Sequence, residues 1–250
     1  EEEAETLTLG VVFTPTDELS ISLDYFDIEI EAAIEQFGGG TAKILQTCYN
    51  LNNSAGGLGS DFCNVINRRN DGLIDFVDAT LKNSAVRVLK GYDLITSYKL
   101  DLFEGALALD YVATYTTDST KVAFEGDTPS HCAGYFGSIC EEPLPDYKHR
   151  MTAKWSNDDI NAQLLWRHIG KVSDDDLETD YSIESISARN YFDASISYSF
   201  TDNYRVTAGI DNLLDKRPPI IGDNDQQSNT YPATYDVFGR SYFVNMTATF

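Results

Sequence analysis

Arg189-Asn190-Tyr191-Phe192-Asp193-Ala194-Ser195-Ile196-Ser197-Tyr198-Ser199-Phe200 decides the fold. From Phe192 on, every second residue is apolar: Phe192, Ala194, Ile196, Tyr198 and Phe200. The positions between them are Asp193, Ser195, Ser197 and Ser199. A period of two predicts a β-strand with one apolar and one polar face. Thr201-Asp202-Asn203 supplies turn residues, and a second strand follows at 204–213. Upstream, 159–171 alternates Ile160, Ala162, Leu164 and Trp166 with Asn161, Gln163 and Arg167. Asn157-Asp158 turns it from 146–156, where Tyr147, His149, Met151, Ala153 and Trp155 oppose Lys148, Arg150, Thr152 and Lys154. The same reading holds at 6–14, from Leu19 to about Ile34, at 85–101, from Leu107 to Tyr115, and in a last strand ending at Phe250. That makes about nine strands.

The connections alternate as well. Pro15-Thr16-Asp17-Glu18, Phe103-Glu104-Gly105, Asn157-Asp158 and Thr201-Asp202-Asn203 are tight turns. Between them lie long connections at about 36–84, 118–145, 172–188 and 214–238. Within the first, Thr41 to Tyr49 reads as a short helix, and 73–79 is either loop or a further strand. Strands of about ten residues, with short turns at one end and long loops at the other, are the plan of an outer-membrane β-barrel. Phe13, Tyr25, Tyr115, Trp155, Trp166 and Phe200, near the ends of the apolar faces, fit its interfacial girdles. A soluble sandwich explains the alternation but not the short/long asymmetry. The expected fold is therefore all-β, an antiparallel transmembrane β-barrel. Bacterial single-chain barrels have an even number of strands. An odd count predicts the C-terminal part of a larger barrel, with residues 1–250 as a partial barrel domain. The start, Glu1-Glu2-Glu3-Ala4-Glu5, has no signal-peptide features and agrees with that reading.

Composition narrows the function. The chain has 18 Lys and Arg against 40 Asp and Glu, a formal charge of −22. Such a charge repels a phosphate backbone, so no nucleic-acid partner is expected. No Gly-x-Ser-x-Gly, phosphate loop or His-Glu-x-x-His is present, and His131, His149 and His168 are scattered along the sequence. We expect no enzyme, no catalytic residue and no cofactor. Cys48 with Cys63 and Cys132 with Cys140 form two local pairs, which predicts disulfides and an oxidising compartment. A zinc site from His131, Cys132, Cys140 and His149 matches no standard spacing, so no metal is assigned.

The tail adds a resemblance. Gly209-Ile-Asp-Asn212-Leu213-Leu-Asp215, then Gly239-Arg240, then a strand ending on an aromatic residue resembles the C-terminus of TonB-dependent outer-membrane receptors. The Cys48–Cys63 loop, Arg68 to Gly72 and Gly91-Tyr92-Asp93 also look like that family. It implies a 22-stranded, plugged barrel, of which these strands would be about the fourteenth to the twenty-second. It further implies active, TonB-energised uptake of a scarce nutrient (siderophore, cobalamin, oligosaccharide or similar) across a Gram-negative outer membrane. Its partners would be outer-membrane lipid, the N-terminal plug and strands, the TonB complex acting through that missing part, and a small-molecule ligand. The alternating Tyr242, Val244, Met246, Ala248 and Phe250 would be read by the barrel-assembly machinery.

Ligand recognition would fall to the long loops. Tyr49, Tyr135, Phe136, Tyr181 and Tyr231 could stack on a ligand or pack the loops together. Lys148, Arg150, Lys154 and Arg167 could form a basic stripe on the lumen or pair with Asp110 or Asp193. Asp174-Asp175-Asp176 and Asp223-Asn224-Asp225 could hold Ca²⁺ or be solvated charge. Competing with the receptor are a complete small outer-membrane pore or adhesin, and a soluble acidic β-sandwich that binds Ca²⁺ or sugar.

Overall fold

The computed structural model describes residues 1–49, 60–176, 179–222 and 229–249. Nine long strands form the path of the main sheet: β1 (Glu3–Thr16), β2 (Leu19–Gln36), β3 (Leu81–Leu102), β4 (Gly105–Val122), β5 (Tyr147–Ser156), β6 (Ile160–Ile169), β7 (Arg189–Thr201), β8 (Tyr204–Asp211) and β9 (Ser241–Ala248), and a tenth, the two-residue strand Ser130–His131, pairs with β4 off that path. The nine lie in the sheet in chain order, so among the described residues β1 and β9 each pair on one side only. The ladders from β4 to β9 are antiparallel. This is the expected all-β barrel wall. The turns after β1, β3, β5 and β7 are short, and every other connection is long. At the turn after β3, Phe103 and Glu104 both have positive φ, 52° and 56°, the backbone of a type I′ hairpin.

Register explains why alternation was legible. Leu107, Trp155, Ala162, Ile196, Ala208 and Val244 are successive cross-strand partners in one row. The row Leu109, Ala153, Leu164, Ala194, Ile210 and Tyr242 runs beside it on the same face. On the opposite face, Ala108, Lys154, Gln163, Ser195, Gly209 and Phe243 form a row. Phe243 is the apolar residue out of phase, and Gly209 accounts for it. A Cβ on Gly209 would lie 2.3 Å from the Phe243 ring, so the ring occupies the space a side chain would fill.

The chain divides into two compact units: Glu1–Leu7, Asp27–Lys90 and Asp118–Cys132; and Thr8–Phe26, Gly91–Thr117 and Ala133–Phe250. In the first, the connection expected over 36–84 is shorter than anticipated, and its described residues carry regular elements. The strands flanking it reach Gln36 and begin at Leu81. The polar far end of β2 is held by cross-strand charge: Asp27 meets Lys90 at 2.9 Å, and Glu35 pairs with Arg87. Between the strands come α1 (Thr41–Cys48), a short helix α2 (Asp61–Asn64), and a hairpin of Ile66–Arg68 with Ile74–Val77. The helix is where the sequence placed it. The apolar run at 73–79 is a strand of that hairpin, outside the main sheet. Ile44, Cys48, Phe62, Ile66 and Phe124 make the core. Phe62 stacks on Phe37 at 5.3 Å and tilts against Phe124 at 4.5 Å.

In the second unit, Tyr135–Gly137, Glu141–Leu144, Val172–Asp174 and Ser185–Ile186 form a separate four-stranded sheet. Its core is Phe136, Val172, Ile186, Ile221, Tyr231 and Tyr235. β9 ends at Ala248 rather than at Phe250, which lies outside the described residues.

Candidate functional site

Two side-chain constellations stand out, and both sit at the long-loop ends of β6 to β9. The first is built from the tail motif. β8 stops at Asp211 because Asn212 takes a left-handed backbone, φ 52°, which asparagine tolerates better than most residues. Asn212 is 2% exposed. Its Nδ2 donates to the carbonyls of Lys216 (2.8 Å) and Phe238 (3.3 Å), and its Oδ1 accepts the Lys216 N–H at 2.8 Å. Its own N–H donates to Asp193 Oδ1 at 2.7 Å, and the Leu213 N–H to the Phe192 carbonyl at 2.7 Å. Asp215, also left-handed at φ 52°, accepts the Arg240 N–H at 2.9 Å. A Cβ on Gly239 would come within 2.6 Å of that carboxylate. So Asn212, Leu213, Asp215, Gly239 and Arg240 meet in one clasp that closes the last long loop and delivers the chain into β9, while Gly209 lies within β8 under Phe243.

The second constellation lies on the polar face. Arg167 on β6 grips Asp236 with both nitrogens, at 2.9 and 2.6 Å, and reaches Asp193 at 3.4 Å. The guanidinium also lies over the Tyr191 ring, 5.1 Å from its centroid. Arg189, Tyr191 and Asp193 share one face of β7 by their spacing of two. Segment 229–239 lies against them through Asp236 and Tyr235. A cleft of ≈ 440 Å³ opens beside it, lined by Arg167, Thr234, Tyr235, Asp236 and Phe238 among others. Burial pushes the Tyr235 phenol up; the Arg189 charge pulls the other way.

The other candidate residues are dispersed. Tyr49 is exposed and hydrogen-bonded to Arg68. Phe136 and Tyr231 are buried in the second core, in edge contact at 5.8 Å. Tyr135 pairs with Leu144 in the small sheet. Tyr181 is half-buried, its phenol pushed up by burial and then by the carboxylates of Asp176, Asp174 and Asp175. Tyr242, Val244 and Met246 are exposed along β9, as is Ala248. Of the basic stripe, only Arg167 has the expected aspartate; Asp110 instead accepts the Ser97 hydroxyl at 2.8 Å. Asp223, Asn224 and Asp225 lie outside the described residues.

All four cysteines are in disulfides; the Cys48–Cys63 bridge has a Cα–Cα distance of 4.9 Å. That removes the thiols from any zinc site. The histidines are less scattered than their positions in the sequence imply. His149 and His168 are cross-strand partners with rings stacked at 4.9 Å, flanked by Trp166 and Tyr147. Sequence reasoning passed over Arg189, Tyr191, Tyr235 and Asp236. The two-residue period places the first two on the polar face, whereas Tyr235 and Asp236 lie in a loop with no periodicity to mark them.

Comparison with known proteins fits this geometry. A family model described as TonB dependent receptor-like, beta-barrel matches residues 1–213. The ferric enterobactin receptor PirA of Pseudomonas aeruginosa is 28% identical over 113 residues, which is 43% of this chain and 15% of that protein. Among solved structures, a mutant of the ferric enterobactin receptor PfeA from Pseudomonas aeruginosa matches all of this chain and 31% of its own, with a TM-score of 0.63 and 20% identity. The siderophore receptor PirA from Acinetobacter baumannii matches all of this chain and 32% of its own, with a TM-score of 0.62 and 15% identity. The copper transporter OprC gives a TM-score of 0.56 at 15% identity, over all of this chain and 31% of its own. The chain thus spans about a third of the length of these solved relatives.

Proposed function

This chain belongs to the TonB-dependent receptor β-barrel family, and from that premise we propose that it forms part of the wall and outer loops of an outer-membrane uptake receptor. The observation that carries the reading is the consecutive sheet with short turns at one end and elaborated loops at the other. Two apolar rows cross six strands and suit contact with lipid, while the opposite face, with Lys154, Gln163 and Ser195, suits a wet lumen. Uptake is energised by TonB through a plug domain, and the C-terminal strand is handed to the barrel-assembly machinery. The chain acts by binding and gating rather than by catalysis.

The ligand is a ferric siderophore. Relatives named as receptors for ferric enterobactin and siderophores support this. The test is uptake of radiolabelled iron by cells that lack the gene and then regain the whole receptor. Iron supplied as a ferric catecholate should enter only in the complemented cells, and only with TonB intact. Equal uptake with and without the gene, for every siderophore class tried, would remove the siderophore reading. Equal uptake with and without TonB would remove energised transport.

A further inference from the structure

Seven buried side-chain atoms among the described residues have no hydrogen-bond partner: His149 Nε2, Asp174 Oδ2, Asp175 Oδ1, Arg189 Nε, Tyr191 Oη, Thr230 Oγ1 and Tyr235 Oη. A buried polar group without a partner costs free energy, and a buried charge costs more. Three of the seven, Arg189, Tyr191 and Tyr235, belong to the neighbourhood of the polar-face constellation. Tyr191 is 0% exposed and Tyr235 1%. Arg189 and Tyr191 are two apart on one strand face, and Tyr235 sits on the turn that caps it. The charge of Arg189 acts on the Tyr235 hydroxyl, as does Tyr191, which puts the three in mutual electrostatic reach.

The contrast with Arg167 identifies what is wanting. Arg167 has two carboxylates, Asp236 and Asp193. Arg189 makes one long bond, Nη1 to the Arg217 carbonyl at 3.5 Å, and no ion pair among the described residues. Its Nε–H can only donate, and a tyrosine hydroxyl can donate as well. Each phenol oxygen can accept as well as donate, but none of the three carries negative charge, so a guanidinium without a carboxylate beside two hydroxyls that can donate suits an anion. Of the three, Tyr235 also lines the cleft beside Arg167.

We propose that Arg189, Tyr191 and Tyr235 bind a small inorganic anion, a halide or an oxyanion, under the cap formed by segment 229–236. The anion neutralises Arg189 and accepts from both hydroxyls, and so fastens the cap to β7. The site is independent of the transported ligand and of the uptake reading.

The test uses the whole receptor in detergent at constant ionic strength, with sodium gluconate replaced stepwise by bromide or phosphate. The melting temperature should rise and saturate with one of these anions. Tyr235→Phe and Tyr191→Phe keep the ring and the packing; each should weaken the apparent affinity about tenfold, as losing a hydrogen bond to a charged group does. Arg189→Met should abolish the response. Crystals soaked in bromide should show an anomalous peak within hydrogen-bonding reach of Arg189 Nε and both hydroxyls. A melting temperature insensitive to both anions overturns the proposal, as does an equal rise in the phenylalanine variants. So does a bromide-soaked crystal with no anomalous signal there, the result expected if water fills the space.

Discussion

The two loop-borne cores of this chain solve the same problem in opposite ways. The first, around Ile44, Phe62, Ile66 and Phe124, is closed by a disulfide, three aromatic rings and the Lys43–Asp127 pair at 2.5 Å. Asp127 is buried, but it is paired and also accepts the Ala123 N–H at 3.3 Å. The second, around Phe136, Val172, Tyr231 and Tyr235, has an apolar centre of similar size but a rim of buried polar atoms with open valences. All seven unpartnered buried atoms among the described residues belong to the second unit. A stable protein tolerates few such groups, and each calls for an explanation such as an ordered water, an ion or stored strain. The first core satisfies its buried polar groups; the second leaves several of them open.

The sharpest way to break that contrast is to attack each core at its centre. Phe62→Ala removes the ring between Phe37 and Phe124 and should cost about 3–5 kcal/mol of local stability. Hydrogen exchange should report the loss over 41–48 and 61–77 and leave 133–222 unchanged. If protection falls equally in both units, the cores are one cooperative body and the contrast fails. Replacing Cys48 and Cys63 with alanine frees the chain between them and should cost about 3 kcal/mol in the chain-entropy model, again confined to the first unit. Proteolysis of intact cells would show it as a new cleavage site in that loop.

The clasp is the corresponding test in the second unit. Asn212→Ala deletes three hydrogen bonds and forces alanine into a left-handed backbone, at a cost of about 2–3 kcal/mol. Protection should drop over 212–222 and 229–241 and across the β8–β9 ladder. Asn212→Gly separates the two contributions, because it relieves the backbone and leaves only the lost bonds. If Asn212→Gly is as stable as the native chain, the side chain is not what holds the loop.

How much of this was legible in sequence follows from what each part repeats. Strands between short turns repeat every two residues, so Leu107 to Val244 could be placed on faces with no knowledge of the fold. The clasp was visible as a string, Gly209 to Asp215 and Gly239-Arg240, but its physics was not. In the folded chain Asn212 bridges Lys216 and Phe238, and Phe243 covers Gly209, contacts that no string of residues displays. The loops were least legible. Phe136 and Tyr231 stood open between ligand stacking and packing, and burial places both in the core. The basic residues stood open between a stripe on the lumen and pairing with Asp110 or Asp193; Arg167 reaches Asp193 at 3.4 Å, but its tighter partner, Asp236, is 69 residues away along the chain. Pairing over such a distance leaves no period behind.

The smallest expected effect carries a sign that opposes the others. Asp174 is 2% exposed; its Oδ1 accepts the Asp176 N–H at 2.8 Å, and its Oδ2 has no partner. Burial holds its carboxyl above the ordinary value of 3.8, and the neighbouring charges of Asp175, Glu184 and Asp176 push the same way. A carboxyl that is easier to protonate in the folded state makes the fold relatively more stable at low pH. The advantage fades as pH climbs from the unfolded value through the raised one, and above that the full cost of the buried charge remains. Asp174→Asn removes the charge and keeps the Oδ1 acceptor. At pH 7 it should stabilise the small sheet of 135–144 and 172–186 by about 1 kcal/mol, read as slower exchange of its amides. Below the unfolded value the variant and the native chain should converge. If Asp174→Asn loosens the sheet at pH 7, the carboxylate is held by a positive charge, and the second core binds a cation at this end as well as an anion at Arg189.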